Sequence, residues 1–315
     1  MSRIAGAAVA LALLALPSAA RADGPMVGGW SYTGVAQGNS RYVAIPIRGG
    51  TLLERVAVHG GQPLGWRTMR REIGIPMVTL TGAGGGLSHD GRRLVMASQP
   101  GFGRPNTELS LFNAHTLGLR RTYRLKGDFA FDALSPDGST IYLIQLLDPR
   151  DLTRYAVRAL DWKTGKLAPK PIVDPREPDE QMRGYPYART TSADGRFVYT
   201  LYNGGKEPFV HALDTTGRTA ACIDIPKVPQ DPQSSLRLQG RRLTVLSGDT
   251  PMAYIDTITH RVTKPGAAVR PASSSDADGG GAPPLWALLA AAAAVALGAA
   301  AAVGARRRRA GAARS

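Results

Sequence analysis

A short unit that recurs along the chain constrains the fold more than any other feature. At Ala133–Gln145 the sequence reads ALSPDGSTIYLIQ, an apolar lead, then Ser-Pro-Asp-Gly, then a β-branched and aromatic run. Asp-Gly between two such runs signals a tight β-hairpin, because the turn needs residues that tolerate φ > 0. The unit returns as GLSHDGRRLVMAS at Gly86–Ser98 and TTSADGRFVYTLY at Thr190–Tyr202, and in a worn form as SLRLQGRRLTVLS at Ser235–Ser247. A partial copy, VAQGNSRYVAIPI, occupies Val35–Ile47. In three copies the turn pairs are Asp90-Gly91, Asp137-Gly138 and Asp194-Gly195, and we read them as structural.

A second unit trails each of the last four copies. It reads LSLFNAHTLGLRRTYRL at Leu109–Leu125, VRALDWKTGKLAPKPIV at Val157–Val173, VHALDTTGRTAACIDI at Val210–Ile225 and MAYIDTITHRVTKP at Met252–Pro265. Each is an alternating strand, an Asn or Asp with a Thr/Gly cluster, and another strand, which suits a second hairpin turn. The turn glycines Gly38, Gly91, Gly138, Gly195 and Gly240 are spaced by 53, 47, 57 and 45 residues. Two hairpins in about 40 to 50 residues are the pattern of a four-stranded propeller blade, which cannot cover both its faces and must stack on neighbours. The expected class is all-β, a β-propeller of about five blades, with Arg55–Thr81 able to hide a sixth. The longer intervals hold insertions, chiefly Asp174–Tyr187, whose Pro and charge density reads as a loop.

These motifs, LSPDG-[ST]-x-[IL]-Y followed by ALD-x-x-TG, resemble the YVTN-type and related bacterial surface β-propellers over about Tyr32–Lys264. The resemblance implies an exported propeller and is nearly silent on activity, because it describes turns. ALDWKTGKL at Ala159–Leu167 also resembles blades of quinone-dependent dehydrogenases; those carry a docking Trp just after the turn, whereas Trp162 lies inside it. The Ala, Arg and Gly content resembles that of actinomycete-like, GC-rich bacterial sources.

The ends of the chain read as targeting segments. Residues 1–22 carry a basic start, an apolar run from Ile4 to Leu16 and an Ala20-Arg21-Ala22 end, the layout of a secretory signal peptide. Leu285–Ala305 has no charge and would reach about 31 Å as a helix, enough to cross a bilayer core. Arg306–Arg309 follow it and place residues 306–315 in the cytoplasm. The expected layout is a leader (1–22), a propeller ectodomain (23–264), an Ala/Ser/Gly/Pro stalk (265–284), a transmembrane helix (285–305) and a cytoplasmic tail: a single-pass membrane protein with its globular part extracellular.

Charge and chemistry narrow the function classes. Seven of the 39 basic residues and none of the 24 acidic ones lie outside Asp23–Pro284, which leaves that part at +8. The excess comes in pairs such as Arg70-Arg71, Arg92-Arg93, Arg120-Arg121 and Arg241-Arg242. A basic exterior on an exported domain favours anionic envelope components over nucleic acid. Cys222 is the single cysteine, so no intrachain disulfide can form. The five His are scattered, with no H-E-x-x-H, no Cys pair, no G-x-S-x-G and no P-loop, so no metal site, cofactor or catalytic residue is assigned. Arg183, Tyr185, Tyr187 and Arg189, in and beside the longest loop, form the candidate ligand-binding patch through stacking and forked hydrogen bonds.

Three functions remain open on these grounds. The first is a membrane-tethered binding or scaffolding module at the cell envelope, with an envelope component or another surface protein as partner and the bilayer holding its C-terminal helix. The second is a propeller enzyme of lactonase-like or quinone-dependent type. The third is a surface protein whose Gly279-Gly280-Gly281, apolar span and Arg cluster form a cleavable sorting signal, without an L-P-x-T-G.

Overall fold

The computed structural model describes residues 29–266 apart from 102, 180, 181 and 206. The expected leader, the membrane span and the tail lie outside the described residues, as does most of the stalk. What is described is all-β, and it falls into five antiparallel sheets taken in chain order. The first holds β1 (Val35–Gln37), β2 (Ser40–Ile47), β3 (Gly50–Ala57) and β4 (Pro63–Met69). The second holds β5 (Arg93–Ala97), β6 (Asn106–Asn113) and β7 (Leu119–Lys126). A bridge from Leu87 to Leu94 starts a fourth strand at its inner edge. The third holds β8 (Phe129–Leu134), β9 (Thr140–Leu146) and β10 (Tyr155–Asp161), extended at its outer edge by the bridges Leu160–Leu167 and Val157–Ile172. The fourth holds β11 (Tyr185–Thr191), β12 (Phe197–Asn203), β13 (Phe209–Asp214) and β14 (Thr219–Asp224). The fifth holds β15 (Ser234–Gln239), β16 (Arg242–Ser247), β17 (Thr250–Asp256) and β18 (Val262–Thr263). Arg55–Thr81 supplies the end of the first sheet and a connection, so it adds no sixth sheet.

The repeated turns explain why the strands start where they do. In the third sheet Asp137 Oδ1 accepts hydrogen bonds from Ser135 Oγ and the Ser139 N–H, while the Thr140 N–H donates to Ser135 Oγ. The Gly138 N–H returns to the Ser135 carbonyl at 2.7 Å. The same set forms around Ser88, Asp90 and Gly91, and around Ser192, Asp194 and Gly195. Only the glycine takes φ > 0, at +66° in Gly138, so the turn is a four-residue loop rather than the tight two-residue hairpin that Asp-Gly suggests. The Asp serves through its side chain, as an Asx turn. Gly38 and Gly240 do sit in two-residue turns, between Gln37 and Ser40 and between Gln239 and Arg242.

The second turns are equally regular. Asn113, Asp161, Asp214 and Asp256 each accept backbone N–H groups from their own turn. The residue four positions on has φ > 0 in every case, namely Leu117, Gly165, Arg218 and His260. The residue after each Asx donates its N–H across to the first turn: Ala114 to Arg92, Trp162 to Ser139, Thr215 to Arg196 and Thr257 to Arg241. Two hairpins are thereby tied into one blade, which is why the two sequence units recur together.

Apolar clusters fill the seams between consecutive sheets. Tyr42, Leu53, Leu94 and Phe112 pack the first seam, Leu109, Phe131, Ile141 and Leu143 the second. Tyr142, Tyr155, Val157 and Tyr202 pack the third, and Leu201, Val210, Leu243 and Ile255 the fourth. Each fully buried Leu or Phe contributes about 1.5–3 kcal/mol. Among the described residues no such cluster joins the fifth sheet to the first. The sheets stack as propeller blades do, and the first sheet keeps one face outward.

Candidate functional site

Two features stand out, a cavity where the inner strands meet and the outward face of the first sheet. The cavity, about 250 Å³, is lined by Val35–Gln37 of β1, the segment 84–89, residues 131–134 of β8, and Arg189 and Thr191 of β11. Its walls come from four sheets, as the hub of a propeller requires. The connection after the first sheet passes close by: Val78 lines the cavity and the Leu80 N–H donates to the Pro186 carbonyl.

One ion pair sits in this wall. The Arg189 guanidinium binds both the carboxylate and the main-chain carbonyl of Asp132, and its Nε donates to Thr200 Oγ1 at 3.0 Å. Asp132 is buried and the Arg189 side chain is only 12 % exposed, so each charge is neutralised by the other. Arg189, Thr200, His211 and Cys222 are successive register partners across all four strands of the fourth sheet. His211 is buried, and that burial lowers its pKa to about 4, against a partial upward pull from Asp132. The ring is held neutral and packs edge-on against Tyr202.

The four residues of the sequence-based patch are not brought together. A bulge between Pro186 and Ala188 breaks the alternation of β11. Tyr185 therefore packs against the third seam and Tyr187 against the fourth, on opposite faces of the sheet. Arg189 points into the hub, and Arg183 stays outside, where it meets Asp151 at 3.3 Å. The expected long loop is also shorter and more anchored than its composition suggests. It ends before Tyr185, and Asp174 within it is buried, accepting from Arg176 and from the Cys222 N–H. The Arg176 hydrogen bond holds the Asp174 carboxyl down to about 2. Asp90, Asp137 and Asp194 accept from the Ser two positions before them and belong to their turns.

The outward face of the first sheet carries exposed apolar side chains around Glu54. Register places Val43, Ile45 and Ile47 of β2 beside Glu54, Leu52 and Gly50 of β3, and these beside Trp66 and Thr68 of β4. Tyr42 and Leu53 alternate to the other side and are buried in the first seam. On the outward side Trp66 is 68 % exposed, Ile45 43 %, Leu64 42 % and Ile47 41 %. Arg41, Arg48 and Arg70 stand around it, with no ion pair among the described residues. Exposed apolar surface of this kind marks interaction sites. Sequence reasoning missed it because alternation along β2 shows a two-sided strand and not which side is left uncovered.

Comparison with known proteins gives distant structural likenesses. No family model matches the chain, and no curated protein matches it. Among solved structures it is similar to TolB from Acinetobacter baumannii, at 18 % identity and a TM-score of 0.41, over 71 % of this chain and 51 % of that one. It is similar to BamB from Moraxella catarrhalis at 16 % identity and a TM-score of 0.40, over 72 % of this chain and 62 % of that one. A putative 6-phosphogluconolactonase from Bacteroides uniformis gives 13 % identity and a TM-score of 0.42, over 72 % and 67 %. The chain thus spans about half the length of that TolB. The propeller-type architecture rests on the sheets' own geometry.

Proposed function

We propose that this chain is a membrane-tethered, extracellular propeller of YVTN type that binds another surface protein at the cell envelope. The observation that carries the reading is the outward face of the first sheet, where Ile45, Ile47, Leu64 and Trp66 are all exposed. A soluble domain rarely leaves a large aromatic and three aliphatic side chains together on one sheet face. The Arg41, Arg48 and Arg70 rim favours a partner whose apolar patch is bordered by carboxylates. Export and anchoring rest on the sequence of the two ends. Among the described residues no helix is long and apolar enough to cross a membrane.

The test places a photo-crosslinking amino acid at position 66 of the full chain in its native membrane. One adduct with a single exported protein, lost on Ile45→Glu and not formed from position 241, supports the reading; adducts to lipid alone, or none, overturn it. Protease added to intact protoplasts should remove the ectodomain and leave a short tail fragment, and full protection would refute the topology.

A second reading, a lactonase-like enzyme, is favoured by one observation: a carboxylate and an arginine, Asp132 and Arg189, meet at the hub cavity. Their mutual neutralisation argues for a structural pair. Lactone hydrolysis that vanishes in Asp132→Asn with an unchanged melting temperature would establish the enzyme instead.

A further inference from the structure

The paired arginines of the sequence find a use at the seam between the second and third sheets, away from both features above. There a cavity of about 310 Å³ is lined by Arg92, Arg93, Leu111, Phe112, Asn113, Arg120 and Trp162. Arg92 and Arg93 enter at the start of β5, Arg120 at the start of β7, and Trp162 from the second turn of the third sheet. We propose that this cavity binds the phosphomonoester dianion of a small organic phosphate.

Four observations converge on that ligand. Among the described residues no carboxylate pairs with Arg92, Arg93 or Arg120 within 4 Å, whereas eight other arginines do form such pairs. The Arg93 guanidinium carbon lies over the Trp162 ring, 4.9 Å from its centre, with its aliphatic stem against the Gly138 turn. That stacking leaves its edge N–H groups for a forked contact with an oxyanion. The buried Trp162 Nε1 has no hydrogen-bond partner, and an indole N–H can only donate. Arg121 donates to the Lys163 carbonyl and fixes the turn that carries Trp162 against the second sheet.

Charge selects between anions. Three guanidinium groups without carboxylate partners among the described residues, around one cavity, suit a phosphomonoester, which carries about −1.5 to −2 at neutral pH, better than a monoanionic diester or carboxylate. Leu111, packed in the same seam, supplies an apolar edge for the organic part.

The test is calorimetric titration of the full chain, in uncharged detergent at low salt, with glycerol 3-phosphate. We expect saturable one-to-one binding. The Arg92→Gln/Arg120→Gln double variant should weaken it at least tenfold with an unchanged melting temperature. Trp162→Phe, which removes the orphaned donor and part of the ring surface under Arg93, should weaken it severalfold. A control of equal charge loss, Arg48→Gln/Arg70→Gln, should stay within twofold of the parent. Equal losses in the two double variants would mean diffuse charge attraction and overturn the proposal, as would no saturation at millimolar ligand. A glycerophosphodiester that binds as tightly as the monoester would overturn the dianion assignment.

Discussion

The third seam and the outward face of the first sheet are built from the same strand pattern and meet opposite fates. In the seam, Tyr142, Tyr155, Tyr202 and Phe209 interlock between two sheets, and the buried Asp132 and Arg189 beside them neutralise each other. On the outward face, Ile45, Ile47, Leu64 and Trp66 are exposed, and nothing among the described residues covers them. Alternation creates two faces per strand. Whether a face becomes core or contact surface depends on whether a neighbouring sheet arrives.

Several substitutions would break or sharpen this contrast. The largest effect is expected for Phe112→Ala in the first seam. Removing that fully buried ring should cost about 3–5 kcal/mol in denaturant unfolding. Trp66→Ala, the loss of a larger ring from the open side of the first sheet, should stay within about 0.5 kcal/mol. A comparable loss for both would mean that the outward face is covered.

Asp132→Ala should also cost about 3–5 kcal/mol, because it strands Arg189 in the hub wall. The double variant Asp132→Leu/Arg189→Met should recover much of the loss, which an interaction cycle would measure.

The next effect is a pH dependence confined to the seam. His211 has a folded pKa of about 4 against about 6.5 unfolded, because burial disfavours its charged form. Asp132 and Asp174 pull that value up and Arg189 pulls it down, with Tyr202 packed alongside. The unfolded state therefore binds the proton more readily. Stability is complete above pH 6.5 and falls as the pH drops toward 4, by up to about 3 kcal/mol. His211→Gln should flatten that slope. An unchanged slope would assign it to other groups.

Turn substitutions are smaller. Gly138→Val should cost about 1–3 kcal/mol, since φ is +66° and a Cβ there would come 2.9 Å from the Arg93 stem. His260→Gly, at φ +58°, should instead stabilise the fifth sheet by about 0.5 kcal/mol.

Much of the blade architecture was legible in the sequence because turns are local. Ser-x-Asp-Gly specifies its loop through side-chain bonds that span five residues, and the trailing Asx turns do the same. The sites were not legible, for particular reasons. With one bulge at Tyr187, an apparent Arg–Tyr patch is spread over four separate environments. Arg92, Arg93, Arg120 and Trp162 come together only because the second and third sheets stack, and that distance is invisible to spacing along the chain. The open first face depends on an absent neighbour, which no local pattern records.

Hydroxyl-radical footprinting of the full chain tests the openness of the first sheet most directly. Trp66, Ile45 and Ile47 should oxidise at rates near those of the unfolded chain, while Tyr42 and Leu53 on the other side of the same strands stay protected. Protection of Trp66 equal to that of Tyr42 would show the face to be sealed and would contradict its role as a docking surface.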